Sequence, residues 1–207
     1  HGVHARAILK EGVPLVAQGK LENLETHCVL FDNRAATKQA ADYVIEKGHR
    51  RLGHLAGPPF SVGAKQRKLG FIEGLIQHAV PVSDAKIVDA GETAADGYLG
   101  ALEILKDPAG RPTALLCFND MVAMGAYRAA HELSLQIPED LSVVGFDGID
   151  FAEVLGPPLT TVDIFPHLLG QKCAELLVRV IGDQTGRGFV TECVTPKLVE
   201  RASVRQL

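Results

Sequence analysis

Short apolar runs alternate with amphipathic stretches along almost the whole chain. The runs are rich in Val, Leu, Ile and Phe, and several lack the polar alternation of a half-exposed strand, which is typical of parallel strands covered on both faces. The predicted strands are Pro14–Ala17, Cys28–Phe31, Leu52–Ala56, Ala85–Val88, Thr113–Phe118, Ser142–Phe146 and Val190–Val194.

Four of the intervening stretches carry residues at the i, i+3/i+4, i+7 spacing that lets a helix bury one face on a sheet. The stripes are Ala36, Ala40, Tyr43 and Lys47, before Gly48; Leu69, Ile72, Ile76 and Ala79; Val122, Ala126, Ala129 and Leu133; and Leu169, Cys173, Leu176 and Val180, before Gly182. Strands that alternate with helices imply βαβ units with right-handed crossovers. The sequence therefore predicts an α/β fold with a doubly wound parallel sheet.

The charge of the chain argues against direct binding of DNA. Among 207 residues there are 25 acidic and 21 basic side chains, and the formal net charge is −4. A protein that grips DNA clusters Lys and Arg against the phosphates, whereas the longest basic cluster here is His49–Arg51. No apolar stretch is long enough to span a bilayer, so we expect no membrane partner.

The four cysteines are widely spaced and form no C-x-x-C pair, so neither zinc nor redox chemistry is indicated. Cys28, Cys117 and Cys193 lie in apolar or β-branched runs, as small buried hydrophobic residues do. We expect reduced core thiols in a cytoplasmic protein.

Compact polar residues follow several predicted strands at the point where each strand ends. They are Asp32 and Asn33, the segment Gly57–Ser61, Asn119 and Asp120, and Asp147. Ligands of open α/β sheets bind beyond the carboxyl ends of the strands, so their joint occurrence favours a site. Taken singly, each has an alternative role in a turn or a helix cap, and Asn119 is well placed to cap the next helix.

Arg67 lies in the first turns of the helix that follows Gly57. An arginine in this place is more often a solvated surface residue. The alternative is that its planar fork reaches the same edge of the sheet and binds a ligand bidentately.

Enzyme signatures are absent from the sequence. No G-x-G-x-x-G follows a strand, no G-x-S-x-G is present, Gly57–Lys65 departs from a phosphate loop, and His131-Glu132 lacks the second histidine of a zinc helix. We therefore expect no catalytic residue, metal or cofactor. An α/β enzyme that uses Asp147 or Asp32 as a base is the alternative, although no nucleophile–base set accompanies either carboxylate.

Several longer segments resemble the lactose/galactose-repressor family of transcription regulators. They are Gly48–Pro58 (GHRRLGHLAGP), Arg67–Phe71 (RKLGF), Arg111–Ala126 (with RPTA and NDMVAMGA), Ile137–Asp147 (IPEDLSVVGFD) and Pro157–Val162 (PPLTTV). Each is weak alone, but together they are specific, and the similarity runs from about Val13 to Arg205.

The resemblance implies a periplasmic-binding-protein-like fold of type I, with two Rossmann-like lobes that contain parallel sheets. One lobe would hold residues 1–33 with 165–191, and the other residues 34–163 with 195–207. The family's helix-turn-helix DNA-binding domain is absent from this chain, which begins with His1, and the first lobe is expected to be incomplete.

The resemblance also implies an effector site. Arg67, Asn119 and Asp147 match the family's effector contacts, and their donors and acceptors suit a polyhydroxylated ligand. Glu92 stands where the family often carries an aromatic that stacks on the ligand, so Phe60 or Phe118 replaces that aromatic or the ligand is more polar or cationic. The predicted ligand-binding set is completed by Ser61, Gly63, Glu92 and Phe118, and by Gln18 and Lys20 of the other lobe.

The function implied is that of a cytoplasmic effector sensor. A small polar ligand, a sugar or similar molecule, would bind between the lobes of a homodimer and alter operator binding through the DNA-binding domain. The amphipathic segment Leu168–Ile181 contributes either to the dimer face or to core packing. The runner-up is a secreted sugar-binding protein of a transporter, which a preceding signal peptide would favour and a preceding helix-turn-helix would exclude.

Overall fold

The computed structural model describes residues 2–21, 23–182 and 188–207, with side chains from residue 4 onward. The chain forms two compact units: unit 1 is His1–Asp32 with Ile164–Pro196, and unit 2 is Asn33–Asp163 with Lys197–Leu207. The predicted α/β class is confirmed. The assignment of the units to the two lobes of a sensor stays a prediction.

The described helices and strands alternate through most of the chain. In order they are α1 (Gly2–Lys10), β1 (Val16–Gln18), β2 (His27–Leu30), α2 (Asn33–Glu46), β3 (Leu52–Ala56), α3 (Val62–Gln77), β4 (Lys86–Asp89), α4 (Ala94–Leu105), β5 (Ala114–Cys117), α5 (Asp120–Glu132), β6 (Ser142–Asp147), β7 (Thr160–Asp163), α6 (Pro166–Gly182), β8 (Thr191–Cys193) and β9 (Lys197–Val199). Short 3-10 helices occupy Val82–Asp84 and Asp150–Glu153.

Unit 1 contains a three-stranded parallel sheet in the order β1-β2-β8. Helix α6 packs on β1 and β2 and buries Leu169 and Leu176, which confirms the stripe predicted for this segment. Cys193 lies exposed on the edge strand β8, so the prediction that it is buried is wrong. Strand β8 has a neighbouring strand on one side only, whereas the buried Cys28 lies on the central strand β2.

Unit 2 contains a six-stranded sheet in the order β4-β3-β5-β6-β7-β9, in which only β9 is antiparallel to its neighbour. Every residue of β3 and β5 is buried, as the apolar sequence of β5 and the largely apolar sequence of β3 predict; the one polar side chain of β3, His54, is hydrogen-bonded to the main-chain oxygen of Leu116. Helix α2 packs with α3, and helix α4 packs with α5. The strand order reverses direction between β3 and β5, which makes this point the switch point of the sheet.

The stripe predicted for α3 is wrong. Leu69 and Ile76 are 43% and 64% exposed, and the helix instead buries the neighbouring face that carries Phe71 and Leu75. Both faces hold apolar residues, and glycine decides between them. A Cβ atom at Gly74 would lie 2.5 Å from the Cβ of Ala41, so the glycine face is the one that can approach α2 closely.

Strands β7 and β9 and helices α1 and α4 were not predicted. Helix α4 has a local sequence signal at its start, because Thr93 and Asp96 form a reciprocal capping box. The spacing of apolar residues alone does not reveal it. Strand β7 lacks such a signal because its first residues are threonines, buried only through partners from distant segments. None of the helices in the described part of the chain is long and apolar enough to cross a membrane.

Candidate functional site

The carboxyl ends of β3, β5 and β6 lie side by side at the switch-point edge of unit 2. Phe118 follows β5, and Asp147 ends β6. Arg67 reaches this edge from α3 with only 7% of its surface exposed, so it is not a solvated surface residue. The structure therefore brings together two of the three predicted effector contacts, Arg67 and Asp147, which are 80 positions apart in the sequence.

Arg67 is held by hydrogen bonds from all three of its guanidinium nitrogens. Nε donates to Oδ1 of Asn33 at 2.8 Å, Nη1 donates to the main-chain oxygen of Phe118, and Nη2 donates to Oδ1 of Asp147 at 3.2 Å. The guanidinium carbon lies 3.6 Å from the ring centroid of Phe146 and 4.6 Å from that of Phe118. These contacts fix both the position and the plane of the guanidinium.

The electrostatics of this pair reflect its burial. Burial lowers the pKa of the Arg67 guanidinium, and the nearby Asp147 carboxylate opposes that shift. Burial likewise raises the pKa of Asp147, and Arg67 opposes it. An arginine stays protonated in proteins, so the pair presents a cation beside a carboxylate in a poorly solvated place.

Asp147 adopts an uncommon backbone conformation. Its φ is +113°, in the region that side chains other than glycine rarely occupy, and Gly148 follows with φ +75°. This turn directs the carboxylate toward Arg67 and leaves 29% of the Asp147 side chain exposed. Such conformations cost free energy and cluster at functional sites.

Asn119 is the N-cap of α5, as the capping alternative anticipated. Its Oδ1 accepts the main-chain N–H of Val122 at 2.7 Å, and its Nδ2 donates to the main-chain oxygen of Glu92 at 3.0 Å. Asn119 therefore ties the loop before α4 to the end of β5. Its direct contact with a ligand stays a prediction.

Three further predicted residues of unit 2 are Ser61 and Gly63, at the start of α3, and Glu92, in the loop before α4. Ser61 caps α3 by accepting the N–H of Ala64 at 3.3 Å, and Glu92 is exposed. A Cβ atom at Gly63 would meet only ordinary contacts, the nearest being Oδ1 of Asn33 at 3.7 Å. Their roles as ligand contacts stay predictions.

The ring of Phe118 packs against the guanidinium of Arg67. Phe118 is 9% exposed, and its ring packs so tightly on the backbone that a Cβ atom at Gly57 would lie 2.6 Å from it. Phe60 is 83% exposed and offers far more ring surface as a replacement for the family's stacking aromatic. Ligand contact by either ring stays a prediction.

Gln18 and Lys20 belong to unit 1, where both are exposed at the end of β1. Lys20 lines a cavity of about 470 Å³ with Leu21, Asn23, Leu24, Glu25, Thr26, Cys28, Phe189 and Thr191. The two residues stay predicted ligand contacts, without a structural test.

Asp120 and Asn33 take parts in the site that the sequence analysis did not assign. Both were noted as polar residues at strand ends, yet their partners lie far away in the sequence. Asn33 accepts a hydrogen bond from Arg67. Asp120 accepts hydrogen bonds from the turn after β6 and from the hydroxyl of Thr161. Burial raises the pKa of Asp120 to about 6.

The groups at this edge can donate and accept hydrogen bonds to a polar ligand. The described residues contain no cluster of three His, Cys, Asp or Glu side chains placed to hold a metal ion. What converges on the buried Arg67 is the partly exposed carboxylate of Asp147 and the side-chain amide of Asn33, and such groups can form hydrogen bonds to hydroxyl groups.

Comparison with known proteins agrees with this architecture. Residues 41–204 match the family described as periplasmic binding protein-like domain. The chain is 32% identical over 187 residues to the HTH-type transcriptional repressor PurR of Mannheimia succiniciproducens, which covers 89% of this chain and 55% of that protein. The chain thus spans about half the length of the curated relatives it matches.

Solved structures extend the likeness to three dimensions. A regulatory protein of the LacI family from Chloroflexus aggregans superposes with a TM-score of 0.85 at 34% identity, covering 97% of this chain and 72% of that one. A LacI family transcriptional regulator from Enterococcus faecium, with bound ribose, gives a TM-score of 0.89 at 25% identity, covering 100% of this chain and 76% of that one. The chain belongs to the LacI family of regulators and comprises a periplasmic binding protein-like, effector-binding domain of that family.

Proposed function

We propose that the chain senses a sugar, or a similar polyhydroxylated molecule, at the carboxyl edge of the unit 2 sheet. The observation that carries the proposal is the ion pair between the buried Arg67 and the partly exposed Asp147 at this edge. It gains support from the related regulator of Enterococcus faecium, whose structure contains ribose.

The pair suits adjacent hydroxyl groups. A carboxylate oxygen accepts from one hydroxyl while a guanidinium N–H donates to the next, and both bonds are strengthened by charge. Because Asn33, Phe118 and Phe146 already hold Arg67, little conformational freedom is lost when a ligand arrives. A preformed site of this kind favours a small, specific ligand.

Ligand binding in this proposal controls DNA binding by the complete regulator in the cytoplasm. Such control requires that the ligand bind one conformation of the protein better than another. The names of the relatives as transcriptional repressors favour this role over secreted transport binding and over catalysis. The homodimer implied by the family resemblance stays a prediction.

Calorimetry and thermal unfolding with D-ribose, followed by a panel of pentoses, hexoses and nucleosides, test the proposal. A molecule that binds only the folded protein raises its melting temperature. We expect Asp147→Ala to weaken binding of the active compound by about 1.5–3 kcal/mol, because a charge-assisted acceptor is lost.

Glu139→Ala provides the matched control. Glu139 is an exposed carboxylate in the loop that leads into β6, so it lies at the opposite end of the strand that carries Asp147. The control should bind like the unmodified chain. A panel in which no sugar or nucleoside raises the melting temperature contradicts the proposed ligand class, and equal affinity of Asp147→Ala contradicts the proposed site.

A further inference from the structure

Asp120 is an almost fully buried carboxylate, 1% exposed, in the first turn of α5. Its Oδ2 accepts two main-chain N–H groups, from Gly148 at 2.8 Å and from Ile149 at 2.9 Å. Its Oδ1 accepts the hydroxyl of Thr161 on β7 at 2.6 Å. The two oxygens thus serve different elements: one holds the turn after β6, and the other anchors the carboxylate to the sheet.

The turn held by Oδ2 is the one that carries Asp147. Asp147 and Gly148 have consecutive positive φ values of +113° and +75°. A non-glycine residue stays in this region only when its surroundings compensate for the cost. Two hydrogen bonds to a carboxylate, on the two residues directly after Asp147, supply that compensation.

The sheet is built to admit this carboxylate. A Cβ atom at Gly145 on β6 would lie 2.1 Å from Oδ1 of Asp120, closer than real atoms approach. The absence of a side chain at that position lets Asp120 reach across to Thr161 and the turn. A helix cap alone would not require such an approach, because Asn119 already caps α5.

We infer that Asp120 is a positioning residue of the ligand site, which holds the turn 147–149 so that Asp147 faces Arg67. Its effect on ligand affinity rests on the proposed function, whereas its hold on the turn does not. Asp120 itself has no contact with the ligand in this account, because its surface is covered.

Three variants separate positioning from general stability. Asp120→Ala removes all three acceptor contacts. Asp120→Asn keeps an oxygen for the two main-chain N–H groups and presents its amide to the hydroxyl of Thr161. Thr161→Val is the matched control, because it removes the buried hydrogen bond to Oδ1 and leaves the two bonds of Oδ2 in place.

The first readout is amide hydrogen exchange at Gly148 and Ile149, which needs no ligand. We expect Asp120→Ala to accelerate exchange at these two amides by at least about tenfold relative to the amides of β5 and β6, since local opening of the turn then costs less free energy. Asp120→Asn and Thr161→Val should leave exchange at these amides close to that of the unmodified chain.

The second readout is the affinity for D-ribose by calorimetry. The affinity of Asp120→Ala for D-ribose should be lower than that of the unmodified chain by about tenfold or more, and the affinity of Asp120→Asn should lie close to that of the unmodified chain. If the unmodified chain does not bind ribose, that result counts against the proposed ligand, and hydrogen exchange still decides the positioning role.

Two outcomes overturn the inference. One is unchanged exchange at Gly148 and Ile149 in Asp120→Ala. The other is acceleration spread evenly over β5 and β6 and shared by Thr161→Val, which would make Asp120 a stability residue without a special hold on the turn.

Discussion

The strand ends of the two units present their polar groups in opposite ways. In unit 2, Asp147 at the end of β6 is paired with the buried Arg67, which is also hydrogen-bonded to Asn33 and Phe118. In unit 1, Gln18 and Lys20 at the end of β1 are exposed. A side chain that is already held loses little freedom on binding a ligand, whereas an exposed lysine or glutamine must be ordered at a cost.

This difference predicts that the specific recognition of a ligand resides in unit 2. Arg67 and Asp147 are held in place before a ligand arrives, and the charge of Arg67 lies where water screens it poorly. Exposed groups on the other unit adapt to many shapes. The following variants test this contrast.

The largest effect is expected from Arg67→Ala. The change leaves Asp147 and the main-chain oxygen of Phe118 without their buried donor, so the free energy of unfolding should fall by about 3 kcal/mol and ligand binding should disappear. Chemical denaturation and calorimetry with D-ribose measure both effects.

Arg34→Ala is the matched control for this change. Arg34 forms an ion pair with Glu73 on the surface, with half of its side chain exposed, and such pairs contribute about 1 kcal/mol or less. Equal losses from the two arginine variants would contradict the special position of Arg67.

An intermediate effect is expected from pH, through Asp120. Burial raises the pKa of this carboxyl in the folded chain from 3.8 to about 6. Between these values the folded protein binds more protons than the unfolded chain, so the free energy of unfolding falls as the pH rises through this window. The full difference amounts to about 2–3 kcal/mol.

Asp120→Asn isolates this contribution, because it keeps the shape of the side chain and removes the titration. Denaturation curves from pH 3.5 to 8 should show a fall for the unmodified chain relative to the variant between about pH 4 and 6. Curves that stay parallel across this range would mean that Asp120 titrates at the same pH in both states.

The smallest effects are expected in unit 1. Gln18→Ala and Lys20→Ala remove exposed side chains, so each should change the free energy of unfolding by less than about 0.5 kcal/mol. If these residues contact the ligand as predicted, each should weaken binding by about 1 kcal/mol or less. A loss of binding affinity as large as that of Asp147→Ala would contradict the prediction that specific recognition of the ligand resides in unit 2.

Much of the sheet of unit 2 follows from the sequence because its central strands are buried on both faces. The predominantly apolar runs at β3, β5 and β6 are sufficient to predict these strands. Strand β7 was not predicted because its threonines are buried through hydrogen bonds with distant residues. Thr160 donates its main-chain N–H to Ser203 and accepts the main-chain N–H of Arg201, and the hydroxyl of Thr161 donates to Asp120. Partners that lie about 40 residues away leave no local pattern.

The site was predictable only in part, for the same reason. The position of polar residues at strand ends identified the edge, and the family resemblance singled out Arg67 and Asp147. Neither source indicated that Asn33 holds Arg67 or that Asp120 holds the turn after β6. The same limit applies to α3, where glycine packing against α2 decided which apolar face is buried.

The most direct test of a ligand site at the carboxyl edge of the unit 2 sheet is an NMR titration of the isotopically labelled chain with D-ribose, in which the chemical shifts of the backbone amides are measured. The largest shifts are expected at Phe118, Asn119, Asp147 and Gly148, at the ends of β5 and β6. Saturable shifts confined to other parts of the chain, with these amides unmoved, would contradict a ligand site at this edge.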